Sequence, residues 1–485
     1  MKKAVRAFPA NPAKGRPPHR RFDIPMRKLP ILVSIALQLL TSNSRAVDAS
    51  VAGTSPGSSN PIIPGYFADP SLVTHDGRQY LYATIDPWGG GTLGCWESGD
   101  FKNWTYRTLN WPTKQACTSP TSKNAMVWAP SVVRGPQGKF HMYVSVGSEV
   151  WAGVADQPRG PWRDANDGKP LIPENFRPGY HMIDAEAFID SDGQAYLYWG
   201  SGWNWTNGKC WAVKLKPDMT TFDGEVRDVT PARYFEAPFM VKHGDRYYLM
   251  YSAGKTIEET YQVHYAVGDS PLGPFAEAPN SPCLVTDAAS NILAPGHHAV
   301  FERDGRHYIL YHRHSIPFDP AFIGRQICVD EMKFSADGLV DKVKPTHEGP
   351  PFIRSGRETT HPVAMTSSSQ RAPHTGAGMA ADANHATLWA AAAGASEAWI
   401  QMDLGKELQI TRQTIQFEYP WKNYRFLAEV STDGRDWKTL ADHRGAGLSG
   451  SPVMLDSSTL ARFLRITFPA IEKDTQPGVF EWVVE

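Results

Sequence analysis

Asp69-Pro70-Ser71-Leu72-Val73-Thr74-His75-Asp76-Gly77-Arg78-Gln79-Tyr80 decides the fold: a chemically loaded residue, a strand-like run, a turn glycine, and an aromatic three positions later. The pattern returns as Pro130 to Gly138 to His141, Asp184 to Gly193 to Tyr196, Glu236 to Gly244 to Tyr247, and His297 to Gly305 to Tyr308. Each glycine allows a tight hairpin into a following strand, of which Gln79 to Thr84 and Tyr247 to Ser252 are examples. Hairpin repeats of roughly 50 to 60 residues imply a radial array, because one small sheet cannot bury both faces until its neighbours close around it. The expected fold is all-β, beginning with a five-bladed β-propeller. The outer turns repeat as well, Ala155-Asp156-Gln157-Pro158-Arg159-Gly160-Pro161-Trp162 matching Gly268-Asp269-Ser270-Pro271-Leu272-Gly273-Pro274-Phe275.

Counted from the glycines, Asp69, Pro130, Asp184, Glu236 and His297 fall at equivalent points of the innermost strands, which converge on the propeller axis. Unpartnered carboxylates there cost kilocalories each, so three acids and an imidazole at one level point to a site rather than a core. Taken singly each has a plainer explanation: an Asp before Pro is often a turn residue, and a lone His is usually a satisfied packing residue. Glu186 and Asp190 are competing acids in the third repeat, and Asp192-Gly193 is a hairpin turn.

The 485 residues exceed a single domain of ordinary size, and 49 basic against 50 acidic residues leave no charge bias toward nucleic acid or anionic membrane. The chain is rich in Trp, Tyr, Gly and Pro, which suits short strands and many turns and also suits stacking on sugar rings. Residues 1–49 read as a non-native extension plus a signal peptide: Met26-Arg27-Lys28, an apolar run from Leu29 to Leu40, then Ser44-Arg45-Ala46. The expected start is Met26 with cleavage after Ala46 or Ala49, and the expected location is periplasmic or extracellular. Cys95, Cys117, Cys210, Cys283 and Cys328 show neither C-x-x-C nor zinc spacing, and no disulfide is predicted.

The propeller is expected over 60–352. A Ser/Thr/Gly/Ala/Pro-rich linker follows at 353–378. Alternating runs such as Trp399-Ile400-Gln401-Met402-Asp403-Leu404-Gly405 and Phe463 to Phe468 then predict a β-sandwich or jelly roll over 379–485.

Phe67-Ala68-Asp69-Pro70-Ser71, Trp128-Ala129-Pro130-Ser131, Ile183-Asp184-Ala185-Glu186-Ala187-Phe188, Glu236-Ala237-Pro238-Phe239 and Gly296-His297-His298 resemble, in order, the blade signatures of glycoside hydrolase family 43. Asp382-Ala383-Asn384-His385, Val430-Ser431-Thr432-Asp433-Gly434 and Ala461-Arg462-Phe463-Leu464-Arg465-Ile466 resemble a discoidin or coagulation-factor type C module, which in many bacterial hydrolases binds glycans. The first resemblance implies an inverting exo-glycosidase, in which a base activates water and an acid roughly 6.5 to 9.5 Å away protonates the leaving oxygen. It implies that Asp69 is the base, Glu236 the acid, and Asp184 a third carboxylate that raises the pKa of Glu236 and orients it. It further implies a place for His297 beside a central cation, often calcium and commonly held through water, with His298 as the alternative if the register slips by one. Arg325 resembles a blade 5 arginine that reaches the sugar, with a surface arginine as the plain alternative. Phe67 and Trp128 are candidate pocket walls, although packing between blades explains both equally. Many relatives carry an acid where this chain has Ser131, which leaves that wall open.

The expected function is release of a terminal pentose, foremost L-arabinofuranose, from plant-type polysaccharides or oligosaccharides. A β-xylosidase and then an exo-β-1,3-galactanase are the alternatives. A glycan-binding propeller without turnover is the alternative of another class, disfavoured because a binding protein has no need of a paired base and acid.

Overall fold

The computed structural model describes residues 53, 55–354, 361–469, 471 and 476–485. The expected signal peptide and Met26 lie outside the described residues. The propeller is present: four sheets of four antiparallel strands and a fifth of three, each beginning with an inner strand, namely Phe67–His75, Val127–Arg134, Glu186–Ile189, Glu236–His243 and Gly296–Arg303. The three-stranded fifth blade is completed by the segment before blade 1. Ile62 donates its N–H to Ile327 O at 2.9 Å, and the Asn60 side chain both accepts from Val329 N and donates to Val329 O at 2.9 Å. An edge that would otherwise expose unpaired backbone is thereby covered, and the ring closes.

Neighbouring blades are stitched by second-strand tyrosines. Tyr143 donates its hydroxyl to Met219 O and Tyr198 to Pro271 O, both at 2.6 Å, and Tyr82 bonds Pro158 O. This accounts for the repeated outer turns: Pro158 and Pro271 present carbonyls to the preceding blade.

The register differs from a count made from the glycines. In blades 1, 2, 4 and 5 the inner strand is broken by a bulge. The left-handed residues of the five inner segments are Asp69 (φ 52), Ala129 (φ 44), Asp184 (φ 56), Ala237 (φ 56) and His297 (φ 37). These are the true equivalents, so Pro130 lies one place after its ring position and Glu236 one place before. The reason is turn chemistry. Blade 1 pairs His75 with Arg78 around Asp76-Gly77, whereas blade 4 pairs His243 with Arg246 around Gly244-Asp245, its glycine one position earlier. In blade 2 Arg134 pairs with Phe140, leaving a longer loop around Gly138. Because side chains alternate along a strand, the single-residue offset aims Glu236 differently from the ring residues.

A second circle of hydrogen bonds joins these positions. Ala129 N–H donates to Thr84 Oγ1 (2.7 Å), Asp184 N–H to Ser145 Oγ (3.0 Å), His297 N–H to Ser252 Oγ (2.9 Å) and Asp69 N–H to His312 Nδ1 (3.3 Å). In blade 3 the acceptor position is Gly200, which pairs with Ile183 and offers no side chain. The Asp184 carboxylate takes its place and accepts the Ala237 N–H.

All five cysteines are buried and free. The C-terminal part is a mainly antiparallel β domain whose long strands Ala398–Phe417 and Val453–Phe468 enclose a buried core around Ile400, Phe417, Phe426, Ile466 and Trp482. The expected linker is only partly a linker, because Ala364–Ser367 pairs with Ala398–Phe417 as a strand of this domain. Among the described residues no helix is long and apolar enough to cross a membrane.

Candidate active site

At one end of the axis a cavity of about 180 Å³ is lined by Asp69, Asp184, Glu236, His297, Arg325 and Trp128 among others. The three carboxylates expected to act together therefore share one pocket. Its walls are aromatic: Trp88 and Trp203 are 40% and 44% exposed at the mouth, and Trp203 stacks on His181 at 4.1 Å.

Asp69 is 2% exposed and fully partnered on one oxygen. Oδ1 lies 3.0 Å from Arg325 Nη1 and 3.2 Å from both His297 Nδ1 and His312 Nδ1, whereas Oδ2 accepts a bond from Thr84 Oγ1 at 2.6 Å. Burial pushes its pKa up, but the Arg325 charge, then His297 and His312, outweigh it and hold the carboxyl well below the usual range. Asp69 is thus ionised, and Oδ2, with one partner, keeps a lone pair for a water.

Glu236 behaves in the opposite way. Burial first, and then the charge on Asp69, push its pKa up to about 7, against the lowering effects of bonds from Tyr261 and Ser201. Tyr261 donates its hydroxyl to Oε1 at 2.8 Å, Thr256 Oγ1 lies 3.4 Å from the same oxygen, and Ser201 Oγ lies 3.3 Å from Oε2. The close donor on Oε1 leaves Oε2 as the oxygen that carries the proton. Asp184 is raised well above its usual value by burial, then by Glu236 and Asp69. Two neighbouring carboxyl groups whose environments push their pKa values apart, one down and one up, are the arrangement general acid–base chemistry needs.

The remaining expected residues divide. Trp128 lines the pocket and anchors its indole N–H on Gly147 O at 3.1 Å. Arg325 also borders the pocket, but it is 3% exposed and clamped by Asp86, with Nε–Oδ2 at 2.9 Å and Nη2–Oδ1 at 2.6 Å. Its guanidinium is committed to two carboxylates, which makes it a holder of Asp69 more than a free surface arginine. Phe67 does not line the pocket. It is 0% exposed and packs edge-on against Trp96 at 5.5 Å, so its place is in the core between blade 1 and its surroundings. Glu186 and Asp190 stay outside too: Glu186 borders a second cavity of about 270 Å³ farther along the axis, and Asp190 pairs with Lys242 and Tyr247, each at 2.6 Å.

His297 Nδ1 faces Asp69 and, at 3.8 Å, Asp184 Oδ2. Among the described residues no group of three or more His, Cys, Asp or Glu is arranged to hold a metal ion. A hard cation takes six or more oxygen ligands, so one at this point would draw most of them from water, with His297, Asp69 and Asp184 facing it.

Sequence reading missed Asp86, Tyr261 and His312. Asp86 stands in the loop after the second strand of blade 1, where an Asp-Pro pair looks like an ordinary turn. Tyr261 stands just before the third strand of blade 4, Gln262–Gly268, and its seat depends on Gly296: a Cβ there would overlap its ring. That glycine in Gly296-His297-His298 was the available signal.

A five-bladed propeller whose axis holds a low-pKa and a high-pKa carboxyl in one small pocket has the parts a glycoside hydrolase needs. The comparisons agree: residues 58–340 match the model of glycosyl hydrolases family 43 and residues 364–481 that of the F5/8 type C domain. The chain belongs to glycosyl hydrolase family 43, whose members cleave glycosidic bonds with inversion. It is 34% identical over 337 residues to a β-D-galactofuranosidase of Aspergillus niger, covering 66% of this chain and 94% of that one. It is 27% identical to an arabinoxylan arabinofuranohydrolase of Bacillus subtilis, covering 66% of this chain and 70% of that one. A solved glycoside hydrolase, 28% identical, superposes with a TM-score of 0.75 over 90% of this chain and 100% of its own.

Proposed function

We propose that this protein is an exported exo-acting furanosidase that releases a terminal α-L-arabinofuranose, with Asp69 as base and Glu236 as acid. The observation that carries the reading is the split of the two carboxyl groups inside one small pocket: Asp69 held low by Arg325, Glu236 pushed up to about 7. A cavity of about 180 Å³ is below the ~300–1,000 Å³ of sites for drug-sized ligands, and suits a single terminal sugar better than the interior of a chain. The Asp69 carboxylate draws a proton from water at Oδ2, the water attacks the anomeric carbon, and Glu236 gives its proton from Oε2 to the departing oxygen. Asp184 orients this pair from the side: it ties the Ala237 amide next to Glu236 and shares with Glu236 the cost of a second buried charge.

A furanoside is favoured over the β-xyloside by the similarity to a galactofuranosidase and an arabinofuranohydrolase. The two named sugars share ring configuration, since β-D-galactofuranose has the C1–C4 stereochemistry of α-L-arabinofuranose with one more carbon on the tail. A β-D-galactofuranosidase is therefore the second reading. Turnover of 4-nitrophenyl α-L-arabinofuranoside, β-D-galactofuranoside and β-D-xylopyranoside tests both. Preference for the arabinofuranoside is expected, preference for the galactofuranoside selects the second reading, and preference for the xyloside overturns the furanoside assignment. Export rests on the apolar run from Leu29 to Leu40 and is tested by fractionating cells that express the full chain.

A further inference from the structure

The F5/8 type C domain packs on the seam where blade 5 closes against blade 1. Trp421 lays its ring against Phe67 at 5.9 Å and Tyr106 at 6.5 Å, and Phe480 meets Tyr66 at 5.9 Å. Ser451 O accepts the Tyr106 N–H at 2.7 Å, and Asp382 O accepts the Gly57 N–H at 2.8 Å. Fully buried Asn384 donates through Nδ2 to Gly53 O and Ser55 O, both at 3.0 Å. Gln326, itself fully buried, reaches His385 O at 3.3 Å.

The same seam holds the base. Tyr66 O accepts the Asp86 N–H at 3.1 Å, Asp86 clamps Arg325, and Arg325 grips Asp69 at 3.0 Å. Gln326 follows Arg325 directly, and Phe67 stands two residues before Asp69. The segment through Asn60 and Ile62 that completes blade 5 is the one Asn384 and Asp382 hold. A tethered binding domain has a polar, loosely fitted contact with its neighbour. Here fully buried Phe67 and Phe480, half-buried Trp421 and Tyr66, and the buried Asn384 amide meet at the point where the ring closes.

We infer that the F5/8 type C domain is a clasp on the propeller seam that positions Asp69 through Tyr66, Asp86 and Arg325, so that turnover of even a small aryl furanoside depends on it. The inference rests on the assignment of Asp69 as base. It goes beyond glycan binding, because a nitrophenyl glycoside has no polysaccharide for a second site to hold. Trp421 and Asn384 are positioning residues in this account, far from the scissile bond.

Trp421→Ala and Asn384→Ser in the full chain, with exposed Met454→Ala in the same domain as control, provide the test. Two readouts are taken: the pH profile of kcat/KM on 4-nitrophenyl α-L-arabinofuranoside, and amide hydrogen exchange. Each clasp variant is expected to lower kcat/KM by about 2- to 30-fold, the range for coupling between packed sites. Each is expected to move the acid limb upward as Arg325 loosens its hold on Asp69, and to speed exchange across 60–86 and 325–329 while blade 3 exchanges as before. Met454→Ala leaves all of these unchanged. Folded variants that exchange like the parent across 60–86 overturn the clasp whatever their activity. Faster exchange with unchanged kcat/KM and acid limb overturns the link to Asp69. A parent with no turnover of any furanoside, but with the expected exchange pattern, sinks the proposed function and leaves the clasp standing. Should Trp421→Ala fail to fold, Asn384→Ser, which removes the two hydrogen bonds to Gly53 and Ser55 and no ring, decides the outcome alone.

Discussion

Tyr261→Phe removes one hydroxyl, the donor 2.8 Å from Glu236 Oε1, and leaves the ring that stacks on His312 at 5.7 Å. Hydrogen bonds to charged groups are worth about 1.5–3 kcal/mol, and 1.36 kcal/mol corresponds to one pKa unit. This bond favours the ionised carboxylate, so its loss raises the Glu236 pKa by roughly 1–2 units from its starting value of about 7. A general acid works while protonated, so the alkaline limb of kcat/KM moves upward by that amount and activity persists to higher pH. The plateau falls by roughly tenfold, a part of the 10²–10⁴ that general acid catalysis supplies, because the weaker acid gives up its proton less readily and its proton is no longer confined to Oε2. Gly296→Ala, whose Cβ would displace the same ring, moves the limb in the same direction with a larger loss of rate. The assay is the pH profile of kcat/KM on a nitrophenyl furanoside from pH 4 to 10. An alkaline limb that stays in place, or moves down, refutes the reasoning that Tyr261 tunes the acid.

Arg325→Lys keeps a charge but loses the forked contact with Asp86, so the Asp69 pKa rises and the acid limb of the pH profile moves up. An acid limb identical to the parent's contradicts this. Asp69→Ala and Glu236→Ala each lower kcat by about 10²–10⁴-fold, measured on the same substrate, and wild-type rates in both would end the assignment. Asp86→Asn leaves Arg325 half-partnered in a buried site and costs about 3–5 kcal/mol of stability by denaturant titration; a midpoint equal to the parent's would show the pair carries no such strain. Phe67→Ala costs about 3–5 kcal/mol of stability with little change in KM, whereas a selective rise in KM would restore Phe67 to the pocket wall.

Much of the fold was legible because the propeller repeats its turn chemistry: the five glycines and the two matching outer turns marked the blades before any coordinates. The choice of Asp69, Asp184 and Glu236 came from the same repeat, yet the count from the glycines was misplaced by one at Glu236. Asp-Gly and Gly-Asp turns close the same hairpin with the glycine at different positions, and only pairing such as His243 with Arg246 separates them. That offset sets the side chain of Glu236 against Tyr261 and Ser201 within the shared pocket. Asp86 was invisible because its partner is distant in the chain, 239 residues away at Arg325, and Tyr261 left only the glycine at Gly296 as a sign. Phe67 misled because an aromatic two residues from a catalytic aspartate serves a wall or a core equally well until its neighbours are known. The seam contacts of the C-terminal domain left no local mark, since a Ser/Gly/Ala-rich stretch reads as a tether whether or not the domain beyond it docks.

The central claim is that Asp69 directs water to one face of the sugar while Glu236 protonates the leaving oxygen on the other. Proton NMR of the first-formed sugar from an α-L-arabinofuranoside, recorded before mutarotation, tests it most directly. The account predicts β-L-arabinofuranose as the initial product, and α-L-arabinofuranose as the initial product would contradict it.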